Sequence, residues 1–162
     1  MAAVDYFLKI DGIDGESLDS RKEKWIEIQS WSWGESNSST VIGGAGGGTG
    51  KVSVQDLHFT AKVNKSSPQL MLACATGEHI KKATLTCRKS GGKQEEYLVI
   101  ELENVLISSY QSGGAANGKL GVDDRPIDGI SLNFQKMEYI YDSPFTGEIV
   151  DVSFDFGQVS TP

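Results

Sequence analysis

The chain has 162 residues, 38% hydrophobic and 23% charged, which is the composition of one globular domain with a single core. Its net charge is −7, and its basic pairs, Lys81-Lys82 and Arg88-Lys89, stand near acids, which excludes nucleic acid and an anionic membrane surface as partners. No apolar run approaches the ~20 residues of a membrane helix, so membrane insertion is excluded too.

The first residues lack a basic stretch and reach a charge at Asp5, so no secretory signal is expected, and folding is expected in the cytoplasm. Cys74 and Cys87 are then expected as thiols, not a disulfide. Val4, Tyr6, Leu8 and Ile10 alternate with polar residues, which predicts a half-buried strand. Residues 11–15 are turn-rich, and residues 25–33 read as a second strand. Residues 36–50 form a long Gly/Ser/Asn-rich loop, and residues 52–59 a third strand. A helix is predicted from Pro68 to about Thr76, with Ser67 as N-cap, Gly77 just past the end, and Leu70, Met71, Ala73 and Cys74 on its apolar face.

Residues 84–89 and 95–102 flank Ser90-Gly91-Gly92-Lys93, a hairpin signature. A second loop covers residues 112–124, and strands at 130–141 and 149–156 finish the chain. Two strands change phase midway. Val52 and Val54 give way to Leu57 and Phe59, and Ile130, Leu132 and Phe134 give way to Met137, Tyr139 and Tyr141. A phase change marks a bulge or a passage between packed layers, and either device bends a sheet. The prediction is a mainly β fold over residues 1–162: a closed antiparallel β-barrel with one short α-helix packed against it, and long loops.

The run Gly43-Gly44-Ala45-Gly46-Gly47-Gly48-Thr49-Gly50, followed by Lys51, invites a phosphate-loop reading. That motif requires Gly where Ala45 stands and Ser or Thr where Val52 stands, and a strand follows in place of a helix. The run is therefore read as a flexible or contact-forming loop, with no cofactor. Asp56-x-His58 could orient an imidazole, but no nucleophile motif accompanies it. Cys74, Cys87, His58 and His79 match no zinc spacing, so neither a catalytic nor a metal site is predicted. In Trp31-Ser32-Trp33-Gly34, strand alternation puts both indoles on one side and Ser32 on the other. Trp31 and Trp33 read as core anchors, with an aromatic platform for sugar or peptide as the alternative.

Taken in order, these segments resemble the haemolysin-coregulated protein (Hcp) family of type VI secretion. The resemblance rests on Asp5-Tyr6-Phe7-Leu8-Lys9-Ile10 with Gly15-Glu16-Ser17, on Trp31-Ser32-Trp33-Gly34, and on residues 51–60 after a Gly-rich loop. It continues through residues 67–77, Arg88-Lys89-Ser90-Gly91-Gly92, Glu96-Tyr97-Leu98 and Ser131-Leu132-Asn133-Phe134. Residues 112–128 depart from the family pattern, with Asp128 where Glu is frequent.

The resemblance implies a non-enzymatic tube subunit similar to phage tail tubes. Its partners would be itself, in stacked six-membered rings, with a spike protein, contractile sheath, baseplate and small effector proteins carried in the lumen. Export would follow cytoplasmic assembly. Ser32 would then be a lumen or cargo contact, and the loop 43–50 a ring-stacking or subunit contact. A tail-tube subunit of another contractile particle and a carbohydrate-binding β-module are the alternatives.

Overall fold

The computed structural model describes residues 4–41, 51–91, 93–116 and 123–158. Alternation places β1 (Val4–Ile10) with Leu8 and Ile10 inward, antiparallel to β2 (Ile26–Ile28) on one edge and β7 (His79–Lys89) on the other. The predicted hairpin is present but longer than its turn signature implied. β7 pairs β8 (Glu96–Gly113), and β8 pairs β9 (Ile127–Asp142) along nearly its whole length. β9 is then shared: its first half pairs β6 (Leu57–Lys62), and its second half pairs β10 (Ile149–Asp155).

The barrel closes through one short segment. β2 pairs β1 at one end of the sheet, and β3 (Ser30–Ser32) pairs β6 at the other, with Gln29 alone between them. The Gln29 N–H donates to the Thr60 carbonyl at 2.7 Å. Residues 25–33 are therefore not the single strand predicted. Ile26 and Ile28 face the core on even positions while Trp31 packs against it on an odd one, because the chain rephases as it changes partner. Residues 52–59 divide likewise. β5 (Val52–Val54) joins β4 (Glu35–Asn37) in a separate two-stranded ribbon, and β6 starts at Leu57. The predicted loop 36–50 thus yields its first residues to β4.

The other phase change is a crease across three strands. Buried residues switch parity after Ile80 in β7, between Leu102 and Val105 in β8, and between Phe134 and Met137 in β9. The register sets Lys82 opposite Glu103 and Glu103 opposite Lys136, so the three reversals are neighbours. Asn104 sits there at φ +56°, and its amide donates to Gln135 Oε1 at 2.7 Å. Bent together, the strands wrap one core around Phe59, Leu85, Ile100, Leu102 and Leu132.

The helix α1 (Ser67–Thr76) ends as predicted, at Gly77 in the left-handed region (φ +68°), where glycine carries no Cβ penalty. Its start differs. Ser66 occupies the cap position without a side-chain cap bond, and Ser67 is the first helical residue. The Ser67 hydroxyl instead donates to the carboxylate of Asp128, buried in β9, at 2.6 Å. Tyr110 in β8 donates to the other oxygen at 2.9 Å. Burial first, and then the Asp128 carboxylate, push the Tyr110 hydroxyl above its ordinary value.

Residues 14–25 fold back over the outer face of β1 and β7. Phe7, Thr86 and Arg88 point away from the barrel core yet are buried. Gly15 makes the close approach possible: a Cβ there would lie 2.5 Å from the Trp25 carbonyl oxygen. Arg88 anchors the flap, donating to both oxygens of Asp19 at 3.0 and 2.5 Å and to Asp5 at 3.4 Å, with its guanidinium 4.7 Å from the Phe7 ring centroid.

Candidate assembly and cargo surfaces

Because Leu57, Phe59 and Ala61 face the core, His58 and Thr60 face outward, and their cross-strand neighbours share that face. One row runs Ser32, His58, Ser131, Ser109 across β3, β6, β9 and β8. The next runs Ser30, Thr60, Gly129, Gln111. Ser30 and Thr60 hydroxyls are 2.6 Å apart, and His58 Nδ1 is 3.1 Å from Ser131 Oγ. Asp56 accepts from Ser108 at 2.6 Å and from Asn133 at 2.8 Å, so its carboxylate is committed to neighbours other than His58. The result is a patch of short hydroxyl, amide and imidazole groups, and Ser32 is exposed within it.

Trp31 and Trp33 are half-buried and pack against the core from the opposite side. Trp31 meets Tyr6 edge-on at 6.2 Å, and Trp33 meets Tyr139 at 6.3 Å. Trp33 also lines an open cleft with Tyr139, Val152 and Phe154. The candidate contact loop, Gly43, Gly44, Ala45, Gly46, Gly47, Gly48, Thr49 and Gly50, lies outside the described residues.

The remaining chemistry-bearing groups do not converge. Cys87 is buried, and desolvation pushes its thiol up to about 12 against an opposing hydrogen bond with Trp31, which leaves little thiolate at neutral pH. Among the described residues no cluster of His, Cys, Asp and Glu could hold a metal ion, and no helix is long and apolar enough to cross a membrane. The feature that sequence reasoning missed is the exposure of β10. Val150, Val152 and Phe154 alternate as predicted, but the barrel covers none of them fully. Alternation identifies a strand's faces and does not say which of them is covered.

Residues 7–141 match the family model described as "Type VI secretion system effector, Hcp". The chain is 46% identical over 140 residues to protein hcp1 of Pseudomonas aeruginosa, covering 86% of this chain and 83% of that protein. Among solved structures it is similar to Hcp1 from Salmonella typhimurium, at 33% identity and TM-score 0.81 over 96% of this chain and 97% of that one. It is also similar to a type VI secretion system effector from Yersinia pestis, at 30% identity and TM-score 0.76 over 93% and 99% of the two chains. A family model that matches most of the chain, and relatives that share its sequence and fold, show that the chain belongs to the Hcp family of type VI secretion, a structural secretion-system family and not an enzyme family.

Proposed function

We propose that the chain is the subunit of a type VI secretion inner tube: six copies close a ring, rings stack, and small effectors travel in the lumen. The observation that carries this reading is the outward face around Ser32 and His58. In these two rows four strands present short polar side chains, with Lys62 and the exposed Ile127 in the row beyond, a mainly polar face that suits the wall of a water-filled channel. The same reading takes the spike, sheath and baseplate as the tube's further partners, and export as following assembly from the cytoplasm without a signal peptide.

Ser32 is the test of the lumen assignment. Ser32→Gln is expected to leave the fold and the ring unchanged while reducing co-purification and export of lumenal cargo. Unfolding of the variant, or unchanged export of every cargo, would contradict the role. The loop 43–50 belongs to the same proposal as a contact to the adjacent ring or subunit. Ordering eight such residues costs on the order of 8–16 kcal/mol, which contacts repeated around a ring can offset. Shortened to two glycines, the loop should permit single rings and impair their stacking, as read by electron microscopy. Normal tubes would make it a linker.

A further inference from the structure

The imidazole of His58 leans from β6 across β9, between Ser131 and Gly129. Its Nδ1 lies 3.1 Å from Ser131 Oγ, and a Cβ built on Gly129 would lie 3.4 Å from Cε1 and 3.6 Å from Nε2. Gly129 is paired on both sides, with Thr60 and with Gln111. A glycine inside a paired strand weakens it and marks a place of close approach. Here the group that approaches is the ring, and no side chain at 129 screens its Nε2. His58 is exposed, so that nitrogen is open to whatever the face meets.

The surroundings of the ring supply no counterion. Its neighbours on the same face, Ser32 on β3, Ser131 and Gly129 on β9, Ser109 on β8 and Thr60 on β6, are uncharged. Asp56, two residues back, accepts from Ser108 and Asn133, and Lys62, four residues on, pairs with Asp123. Among the described residues no carboxylate forms an ion pair with the imidazole. Asp56, Lys62 and Asp123 are two anions and one cation, an excess of one negative charge per copy along this stretch.

Imidazole is the side-chain group that ordinarily gains its charge between about pH 8 and 5. Once it is charged, both nitrogens donate: Nδ1–H to the Ser131 hydroxyl, and Nε2–H into the open space. That charge cancels the local excess, and its free donor calls for an anion from outside the wall. We propose that His58 is a cargo contact for acidic protein surfaces, which it holds more tightly once it has taken up a proton. The contact rests on the lumen reading above and adds a regulation to it. Six copies set six imidazoles at one level of the channel, so an acidic cargo meets several of them together. The remaining acids of a chain with net charge −7 weigh less, because exposed charges more than about 8 Å apart are largely screened at physiological salt.

A polyaspartate octapeptide is the probe, and polyasparagine of equal length is its uncharged control. Binding to the untagged protein is measured by fluorescence anisotropy at pH 8 and pH 6 at constant ionic strength, with light scattering on the same samples. Polyaspartate is expected to bind about threefold more tightly at pH 6, the size of one exposed ion pair, and polyasparagine equally at both. His58→Gln keeps a hydrogen-bonding side chain that does not titrate, so it should fold as the parent does and lose the gain. His79→Gln removes the other of the two histidines and should keep it. That variant leaves a single histidine Cε1 proton resonance to follow. By linkage, bound polyaspartate should raise the midpoint of its titration by about half a pH unit. A gain that survives in His58→Gln or vanishes in His79→Gln overturns the proposal, as does a resonance that ignores the peptide. No gain in a parent that forms rings also overturns it and leaves the ring reading standing. A monomeric parent overturns the ring reading, and the lumenal contact with it.

Discussion

Arg88→Met is expected to lower the unfolding free energy by about 3–5 kcal/mol, because it leaves the carboxylates of Asp19 and Asp5 facing a buried site without their cation. Arg88 is 3% exposed and sits where β7 shifts register against β8, so water has poor access to replace it. Loss of the guanidinium also removes its contact over Phe7 and releases residues 14–25 from the outer face. The effect should be read by urea unfolding at matched protein concentration, with faster amide exchange in residues 14–25 than elsewhere.

A pH dependence accompanies it. The hydrogen bonds from Arg88, chiefly, hold the Asp19 carboxyl down at about 2, below its unfolded value of 3.8. A lowered folded value means that the stabilisation is complete above pH 3.8 and is lost as pH falls through about 2. The parent is therefore expected to lose stability over that interval, and Arg88→Met to show a flatter profile there. An equally steep acid profile in the variant would show that Asp19 is not the responsible group.

Asp128→Ala is the second large effect expected, about 2–4 kcal/mol, since two hydrogen bonds to one fully buried carboxyl are lost together. Ser67 and Tyr110 would keep buried hydroxyls facing an emptied site, and α1 would lose its polar tie to β9. Tyr110→Phe and Ser67→Ala should each cost less than Asp128→Ala, and their effects should not add, because both hydroxyls act through the same carboxyl. Full additivity with no increase in proteolysis around α1 would show that the helix is held by Leu70 and Ala73 alone.

Much of this fold was legible as period and punctuation. β1, the β7–β8 hairpin and the end of α1 at Gly77 follow from alternation and glycine placement. The phase changes were read as bends, and the structure assigns each its cause: the crease at Asn104 and Gln135, and the passage from the β4–β5 ribbon into β6. Less legible was everything that depends on partners distant in sequence. Nothing local says that residues 25–33 divide at Gln29, because the reason is the separation of β1 from β6 in space. Nothing in the sequence marks Arg88 and Asp128 as buried, since a lone charged residue in a strand gives no sign of the flap or helix that covers it. For the candidate surfaces, Ser32 was placed by alternation alone, while the rest of its row came from registers across residues 30–131. The sequence reading assigned Met71 to the packed face of α1, but Met71 is exposed and Leu70 and Ala73 are the apolar residues buried there.

Native mass spectrometry of the purified chain reads the ring itself. A dominant assembly of six copies of the 17.5 kDa chain, stable at micromolar concentration, is expected. A monomer persisting across that range, with the barrel folded, would contradict it.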